Sequence, residues 1–304
     1  MKNQVIECYN AKHKPGGKYI MSLVNMDEML KKAQAEHYAV GQFNINNLEW
    51  MQAILEECME LRCPVILGVS EGATKYMGGW NVVVQMIKAY IKDNNVDIPV
   101  AIHLDHSRSF EVCKSAIDAG FTSVMIDKSR IPFDQNMIET KKVVEYAHKR
   151  GVTVESELGK VGGKEEDVVA EEMYADINEC IKMVKETGID ELAPALGSVH
   201  GVYKGEPKLG LTEMAAIAEA VKIPLVLHGG SGIPDDQIIQ AIKNGTAKIN
   251  VNTENQQAWE KIVRQVIADS NDIWDMRKII GPGKAGIRQV VRHKCEIFGC
   301  INKA

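Results

Sequence analysis

No uninterrupted apolar run in this 304-residue chain approaches the roughly 18 residues that a membrane-spanning helix needs. The opening twenty residues are polar and contain no apolar core, so we do not interpret them as a secretory signal. We therefore expect a cytoplasmic protein that has no membrane partner.

The chain also lacks a surplus of basic residues, since 36 Lys and Arg stand against 41 Asp and Glu. The resulting net charge of −5 argues against a dedicated nucleic-acid binder, which would carry a basic face. An anionic small substrate stays compatible with this balance, because a pocket can be locally positive on an acidic protein.

The cysteines do not have the spacing that is typical of a zinc ribbon or of a disulfide-stabilised fold. The seven cysteines are odd in number, are spread along the chain and include no Cys-x-x-Cys pair. This spacing predicts neither a zinc ribbon nor a disulfide framework. We expect reduced thiols.

A glycine-rich G-x-G-x-x-G turn, typical of open dinucleotide-binding sheets, is missing after the first predicted strand, where the sequence reads FNINNLEW. From about residue 39 onward, short β-rich apolar runs alternate with stretches whose apolar residues recur three to four apart. The eight predicted strands are AVGQFNI from Ala39, PVILGVS from Pro64, VAIHLDH from Val100, SVMIDKS from Ser123, TVESELG from Thr153, ELAPAL from Glu191, PLVLHGG from Pro224 and AKINVNT from Ala247.

Strands that alternate with helices predict parallel βα units, and eight short apolar strands favour a closed (β/α)₈ barrel, or TIM barrel, over an open sheet. We expect one α/β domain over residues 21–304 with an extra C-terminal helix. Residues 1–20 are expected to be an N-terminal extension, native or added, because Met21 looks like a natural start.

One connection is unusually long and charged. It covers residues 158–176 and contains Gly162 and Gly163. Two interpretations stay open at this point: a mobile lid over the barrel mouth, or a plain solvated excursion.

Polar side chains recur where the predicted strands end, which is where the active sites of such barrels form. Among them, His106, His200 and His228 come from three different strand ends. Three imidazoles with an open fourth position are typical of catalytic zinc. Each histidine alone has the alternative of being separately satisfied, but their shared placement favours zinc.

Asp105 directly precedes His106, and neighbours on an ideal strand face opposite ways. Both can serve one site only where the strand is ending, and Asp105 then becomes a candidate general acid or base. Support of the histidine by the carboxylate is the alternative.

Small residues and backbone N–H groups follow the last two predicted strands, in HGGSG from His228 and VNTEN from Val251, where Thr253 is expected to cap a helix. Loops at these positions usually bind phosphate in this fold. Zinc, phosphate and a carboxylate together suggest chemistry in which the metal polarises a ketone. A Schiff-base mechanism is the poorer interpretation, because Lys128 and Lys248 are the only strand-end lysines.

Longer motifs carry a family likeness, and they are HLDH from His103, GFTSVMID from Gly120, VESELGKVGG from Val154, LAPALGSVHGVYKGEPKLG from Leu192, PLVLHGGSGIP from Pro224 and AKINVNTEN from Ala247. In this order, from about Met21 to the end, the chain resembles class II fructose-bisphosphate aldolases. The resemblance implies a cytoplasmic, glycolytic homo-oligomer that reversibly splits fructose 1,6-bisphosphate into dihydroxyacetone phosphate and glyceraldehyde 3-phosphate.

The resemblance also implies the metal and catalytic residues. His106, His200 and His228 match the ligands of the catalytic Zn²⁺, whereas Asp127 and Glu157 match ligands of a second or alternate divalent position. Asp105 matches the group that handles the C4 hydroxyl proton. Glu165 matches a glutamate that transfers a proton at the dihydroxyacetone carbon, which favours the lid interpretation. A Na⁺ or K⁺ ion held by backbone carbonyls near HGVYKG is expected as well.

Substrate contacts follow from the same resemblance. Arg277 matches an arginine that reaches the distal phosphate in a neighbouring subunit. The other matching positions are Asn44, Ser70, Gly201, Lys204, Gly229, Gly230, Ser231, Asn250, Val251, Asn252 and Thr253.

Three departures from the family pattern bear on substrate choice. Ser107 and Arg108 follow HLDH in place of glycine and a smaller residue, Lys128 and Arg130 flank Ser129, and Met276 replaces a proline. A tagatose-1,6-bisphosphate aldolase of the same family therefore stays open as an alternative. A metal-dependent hydrolase on the same barrel is a second alternative, but it would place His-x-His at the end of the first strand, where this chain has FNIN. A non-enzymatic binding protein is a third, but it would have lost a metal ligand or Asp105, and this chain keeps them.

Overall fold

Eight apolar segments form parallel strands that close into a barrel in the computed structural model. The structure describes residues 22–159, 161–165, 168–170, 174–201, 203, 205, 207–270 and 272–304. The predicted extension over residues 1–20 lies outside the described residues, so the predicted domain boundary stays a prediction.

The described strands comprise eight in the barrel and three outside it. They are β1 Val40–Asn44, β2 Val65–Ser70, β3 Val100–Ser107, β4 Ser123–Ile126, β5 Thr153–Leu158, β6 Gly162–Glu165, β7 Val168–Ala170, β8 Glu191–Pro194, β9 Val199–His200, β10 Leu225–Leu227 and β11 Thr246–Val251. The barrel has the order β1-β11-β10-β8-β5-β4-β3-β2, and all its strand pairs are parallel. Each predicted strand contributes one barrel strand, so the predicted (β/α)₈ fold is confirmed.

Helices follow the barrel strands and cover their outer face. They are α1 Asp27–Ala35, α2 Leu48–Leu61, α3 Glu71–Tyr76, α4 Trp80–Asp93, α5 Phe110–Ala119, α6 Phe133–His148, α7 Ile177–Thr187, α8 Leu211–Val221, α9 Asp235–Lys243, α10 Thr253–Asp269, α11 Met276–Ile280 and α12 Lys284–Phe298, with a 3₁₀ turn at Gly281–Gly283. The apolar side chains of strands and inner helix faces form one core.

The boundaries of α2 follow from local chemistry. The side chain of Asn47 accepts a hydrogen bond from the Trp50 N–H, which satisfies one of the free donors of the first turn. The helix ends at Arg62, whose left-handed backbone (φ +55°) stops further helical hydrogen bonding.

The C-terminal helix α12 packs against α2 and supplies the expected extra helix. Arg288 and Arg292 bind the two oxygens of the buried Glu57 at 2.7 and 2.6 Å, and Lys284 binds Glu56 at 2.6 Å. Because the Glu57 side chain is only 2% exposed, these pairs compensate for burying its charge.

The predicted lid segment after β5 contains a small sheet. β6 pairs antiparallel with β7 and parallel with β9, with Gly163 opposite His200. The backbone of this segment therefore lies beside the strand that carries a predicted metal ligand. Its function as a lid stays a prediction.

Candidate active site

Three histidines meet at the carboxyl ends of the barrel strands. His106 lies near the end of β3, His200 ends β9, and His228 directly follows β10. Their ring centroids are 4.6 Å apart for His106 and His228, 5.0 Å for His106 and His200, and 5.8 Å for His200 and His228. The structure thus brings together three residues that are far apart in the sequence.

Glu157 of β5 completes this group. One ligand atom from each of His106, Glu157, His200 and His228 lies within 4.8 Å of the others. Nδ1 of His228 is 2.8 Å from Nε2 of His106, so two ring nitrogens point towards a common centre.

The protonation states of His200 and His228 suit metal binding. Burial, reinforced by His106 and His228, lowers the pKa of His200 well below its ordinary value. Burial and His106 likewise lower the pKa of His228. Nε2 of His200 is buried and has no hydrogen-bond partner among the described residues. Neutral imidazoles and a carboxylate fit a divalent metal ion with mixed nitrogen and oxygen ligands.

The backbone of β3 explains how Asp105 and His106 reach one site. His106 has φ +53°, an uncommon value for a residue with a side chain, and the pairing of β3 with β4 shifts register between Leu104 and Ser107. The sequence predicts that this strand ends at His106, but β3 continues to Ser107. Asp105 and His106 therefore reach one site through an irregularity within the strand and not because the strand ends there. Such irregularities re-aim side chains beside active sites.

Asp105 is a buried carboxylate held in one orientation. Its Oδ2 accepts a hydrogen bond of 2.7 Å from Nδ2 of Asn44, and its Oδ1 lies 3.9 Å from Nε2 of His106. Oδ1 has no hydrogen-bond partner among the described residues. Burial alone would raise the pKa of Asp105, but His106 and His228 in their protonated forms, together with other nearby basic groups, outweigh it and hold the pKa below its usual value. Asp105 is therefore ionised at pH 7 and has one oxygen able to accept a proton.

A charged pair inside the barrel supports His228. Glu155 accepts a hydrogen bond from Nε2 of His228 at 2.7 Å through Oε1 and binds Nζ of Lys248 at 2.8 Å through Oε2. Burial opposes ionisation of Glu155, but Lys248 and His228 outweigh it and lower the pKa of Glu155. Because Nε2 of His228 donates a hydrogen bond to Glu155, Nδ1 carries no proton. The lone pair of Nδ1 then faces the cluster of His106, Glu157 and His200.

Asp127 lies between His106 and Ser129. Its Oδ2 is 3.4 Å from Nδ1 of His106, and its Oδ1 accepts hydrogen bonds from the N–H and hydroxyl of Ser129. Asp127 is not among the four clustered ligands, whereas Glu157 is. Direct metal binding by Asp127 stays a prediction.

Two glycines shape the loop that follows His228. Gly229 has φ +64°, and a Cβ there would lie 2.2 Å from the carbonyl oxygen of Val199. A Cβ at Gly230 would lie 2.8 Å from the carbonyl oxygen of Asn250. The loop therefore lies directly against its neighbouring segments only because both positions lack a side chain.

The start of α10 lies against this loop. The Glu254 N–H donates to Oγ of the buried Ser231 at 3.3 Å, and Gly232 N–H donates to the Glu254 carboxylate. The N-cap is Asn252 rather than Thr253, which is the first helical residue, so the predicted cap was one residue late. The first turn of a helix presents N–H groups that have no partner within the helix, and its dipole favours an anion there.

Comparison with known proteins shows the family of this chain. The model of the family described as fructose-bisphosphate aldolase class-II matches residues 24–303. The chain belongs to the class-II fructose-bisphosphate aldolase family. A fructose-bisphosphate aldolase of Geobacillus stearothermophilus is 62% identical over 285 residues, which cover 93% of this chain and 99% of the relative. One of Staphylococcus epidermidis is 60% identical over 93% of this chain and 100% of its own length.

Solved structures agree on the fold. The YdjI aldolase of Escherichia coli K12 superposes with a TM-score of 0.81 at 31% identity, covering 93% of this chain and 99% of that one. A fructose-bisphosphate aldolase of Campylobacter jejuni, at 22% identity, has a TM-score of 0.78 over 93% of this chain and 97% of that one. The latter likeness shows the barrel fold alone.

The remaining positions that the class-II aldolase resemblance predicts have varied surroundings. Ser70 caps α3 by accepting a hydrogen bond from the Ala73 N–H. Gly201 has φ +93° in the segment after β9. Arg277 is 90% exposed and pairs with Asp275 at 2.9 Å.

Three further predictions concern positions that lie wholly or partly outside the described residues. Lys204 lies outside the described residues, as does part of the segment predicted to hold a monovalent cation. For Glu165 the structure describes the backbone of β6 only. In the part of the chain that is described, no helix of this aldolase-family member is long and apolar enough to cross a membrane.

Proposed function

We propose that this protein is a zinc-dependent lyase that reversibly cleaves fructose 1,6-bisphosphate into dihydroxyacetone phosphate and glyceraldehyde 3-phosphate. The observation that carries the proposal is the clustering of His106, His200 and His228 beside the buried carboxylate of Asp105. A metal site and an acid/base group at one barrel mouth are what an aldol cleavage requires.

Zinc is the metal we assign to the three histidines. Three imidazoles that leave a position open to substrate are a usual arrangement for catalytic zinc. When bound, the ion supplies Lewis-acid stabilisation of the negative charge that develops beside the substrate carbonyl. Glu157 lies within reach as a fourth ligand, and Asp127 orients His106 by accepting a hydrogen bond from its Nδ1.

Asp105 is proposed to act as the base of the cleavage step. It takes the proton of the C4 hydroxyl, whose O–H electrons form the new aldehyde while the C3–C4 bonding pair stays on C3. Asn44 holds Oδ2, so Oδ1 is the oxygen that faces the substrate. The low pKa of Asp105 keeps the carboxylate ionised, and so unprotonated, at pH 7.

The second proton transfer is proposed for Glu165. After cleavage, C3 needs a proton to become the hydroxymethyl carbon of dihydroxyacetone phosphate. The backbone of β6, which ends at Glu165, pairs with the β9 strand of His200. This pairing supports closure of the segment over the site as a lid.

The dihydroxyacetone phosphate group is proposed to bind between the loop Gly229–Ser231 and the start of α10. The close approach that Gly229 and Gly230 permit and the helix N-terminus together support an anion site there. Gly201, Lys204 and residues 250–253 are proposed to complete it. Asn44 and Ser70 are proposed as further substrate contacts.

The assembly and the cellular location are proposals as well. Arg277 projects its guanidinium into solvent, which supports contact with a substrate phosphate held by a second subunit in a homo-oligomer. Light scattering of the purified protein measures the oligomer size. A sugar bisphosphate substrate and reduced cysteines support a cytoplasmic location.

The test of the proposed function is cleavage of fructose 1,6-bisphosphate, followed by triose phosphate formation, before and after chelation and after zinc is restored. We expect turnover that chelation abolishes and zinc restores. His228→Ala should abolish both zinc binding at this site and turnover, whereas His293→Ala, on an exposed face of α12, should change neither.

Two results would contradict the proposal. Full turnover after complete metal removal would exclude a metal-dependent reaction. A marked preference for tagatose 1,6-bisphosphate in the same assay would replace the proposed substrate and would point to the charges at Arg108, Lys128 and Arg130.

A further inference from the structure

Four buried cysteines meet at the amino-terminal face of the barrel, opposite the mouth that holds the histidines. Cys58 lies in the last turn of α2 and Cys63 just before β2, while Cys295 lies in the last turn of α12 and Cys300 follows it. None is more than 1% exposed. Their spacing in the sequence matches no Cys-x-x-Cys motif, and only the docking of α12 on α2 brings them together.

The sulfur atoms lie close to one another. The Sγ atoms of Cys63, Cys295 and Cys300 all lie within 4.8 Å of each other. Cys58 is not one of these three, but its buried thiol is close enough to Cys295, Cys63 and Cys300 for them to influence its pKa, which is raised. Ligands at a tetrahedral zinc ion, with Zn–S bonds of about 2.3 Å, are separated by roughly 3.8 Å. The thiols are therefore almost at the separation that a metal ion requires.

The two pairs of cysteines sit in equivalent backbone turns. In CMELRC and CEIFGC the second cysteine follows the first by five positions. The N–H of the second cysteine donates to the carbonyl of the first in both turns, at 2.9 Å for Cys63 and 3.2 Å for Cys300. The preceding residue is left-handed in both, with φ +55° at Arg62 and +68° at Gly299.

The left-handed backbone at Arg62 strengthens this comparison. A non-glycine residue in this conformation costs roughly 1–2 kcal/mol, so the geometry is one that the surrounding structure enforces. These two like turns bring three of the four sulfurs, those of Cys63, Cys295 and Cys300, within 4.8 Å of one another.

We propose that Cys58, Cys63, Cys295 and Cys300 bind a second, structural metal ion of the thiophilic d¹⁰ class, with Zn²⁺ as the expected occupant. Binding replaces the S–H protons by metal–sulfur bonds and releases those protons to solvent. No oxidant is required.

A metal ion accounts for the arrangement better than a disulfide does. A disulfide joins two sulfurs and leaves the others without a role, whereas tetrahedral coordination uses all four. The other described cysteines, Cys113 and Cys180, are buried singly in α5 and α7 as ordinary small apolar residues.

The expected effect of this ion is to fix the C-terminal segment. The N–H groups of Asn302 and Ala304 donate to the carbonyls of Leu61 and Arg62 at 3.1 and 3.0 Å, so the last residues already lie along the end of α2. A thiolate-bound ion would join both helix ends covalently at this point. The inference does not depend on the proposed aldolase activity.

The first test is spectroscopic and uses the full-length, reduced wild-type protein. Its zinc is removed by chelation and Co²⁺ is added. We expect thiolate-to-cobalt charge-transfer absorption in the near ultraviolet, which the histidine site cannot produce. The native protein should contain two zinc equivalents per chain instead of one.

Single-residue variants show which site holds each of the two zinc equivalents. Cys63→Ser and Cys300→Ser should each lose the charge-transfer absorption and one zinc, and the matched controls Cys113→Ser and Cys180→Ser should lose neither. His228→Ala should lose the other zinc and keep the charge-transfer absorption.

Two outcomes would overturn the proposal, and both are read on the unmodified protein. One is Co²⁺ binding by folded wild-type protein without charge-transfer absorption. The other is a disulfide among the four cysteines, detected by thiol titration and mass mapping after purification without reductant.

Discussion

Nε2 of His228 lies 2.7 Å from Oε1 of Glu155, and this contact decides which nitrogen of His228 is available to a metal ion. A ring nitrogen that donates to a carboxylate fixes the tautomer and makes the opposite nitrogen a better ligand. Nδ1, the opposite nitrogen, is the one that faces His106 at 2.8 Å.

Glu155→Gln is therefore predicted to weaken zinc binding at the histidine site by about 10–100-fold, because the negative charge behind His228 is lost. The measurement is zinc retention against a competing chelator of known affinity. Glu191→Gln is the matched control, because Glu191 occupies the register position beside Glu155 on the adjacent strand β8. Equal zinc retention by Glu155→Gln and wild type would show that Glu155 does not support the ligand.

The pairing of Glu155 with Lys248 marks the limit of what the sequence predicts. The barrel and the three histidines are predictable, because apolar runs locate the strands and the histidines stand at strand ends. The ion pair is not predictable, because β5 and β11 are not adjacent in the barrel: β8 and β10 lie between them. A buried lysine in AKINV was a usable signal, because such a charge requires a partner.

Backbone conformation is the second feature that the sequence does not reveal. Standard strand geometry puts Asp105 and His106 on opposite faces, and only the left-handed backbone of His106 resolves the conflict. Likewise, the distance between Cys63 and Cys300 depends on how α12 docks, which no local pattern encodes.

Removal of either member of the Glu155–Lys248 pair is predicted to destabilise the protein. Both side chains are fully buried, so Glu155→Gln or Lys248→Met alone leaves one uncompensated charge and should lower the free energy of unfolding by about 3–5 kcal/mol. The double variant should lose less than the sum of the two, because no lone charge remains. Urea unfolding at pH 7, after treatment with chelator, gives the free energy of unfolding of the wild type, the two single variants and the double variant.

The stability that the Glu155–Lys248 pair contributes depends on pH in a definite direction. Burial opposes ionisation of Glu155, yet Lys248 and His228 lower its pKa, so its stabilising contribution is present above the unfolded pKa near 4.5. The contribution is lost as pH falls through the folded pKa. Additive effects of the two single substitutions at pH 7 would refute the coupling.

The Glu191→Gln variant is predicted to become more stable relative to the wild type as the pH rises. Burial, with the nearby charges of Asp190 and Glu155, raises the pKa of Glu191 well above 4.5, and neither carboxyl oxygen has a hydrogen-bond partner among the described residues. The folded state therefore keeps a proton that the unfolded state has lost, so the stability of the wild type falls between the two pKa values.

Glutamine carries no such proton, and its stability relative to wild type should increase by up to about 1.4 kcal/mol per pH unit in that window. Urea unfolding of both proteins at pH 4, 6 and 8 gives the comparison. A stability difference that does not change with pH would mean that Glu191 ionises normally in the folded protein.

Asp105→Asn is predicted to reduce kcat by about 10²–10⁴-fold, because the amide cannot take the C4 hydroxyl proton. The Asn44 contact can be kept, since the amide oxygen still accepts its hydrogen bond. Zinc content measured on the same sample should be unchanged, which separates loss of the base from loss of the metal. Asp127→Asn offers a comparison, with a smaller expected loss of kcat. Normal turnover by Asp105→Asn would assign the base elsewhere.

Gly229→Ala is predicted to lower both stability and substrate affinity. The residue has φ +64°, and its added Cβ would meet the Val199 carbonyl oxygen at 2.2 Å, so the loop must move away from its neighbour. Gly151→Ala is the matched control, because Gly151 also has positive φ (+70°) but a Cβ there meets nothing within 4 Å.

The control should therefore lose only the cost of the left-handed backbone, about 1–2 kcal/mol, whereas Gly229→Ala should lose more. Thermal unfolding separates these contributions. Because the displaced loop is the proposed phosphate cradle, Gly229→Ala should also raise KM for the sugar bisphosphate, and Gly151→Ala should leave KM unchanged. Equal KM values for the two variants would place the phosphate at another part of the barrel mouth.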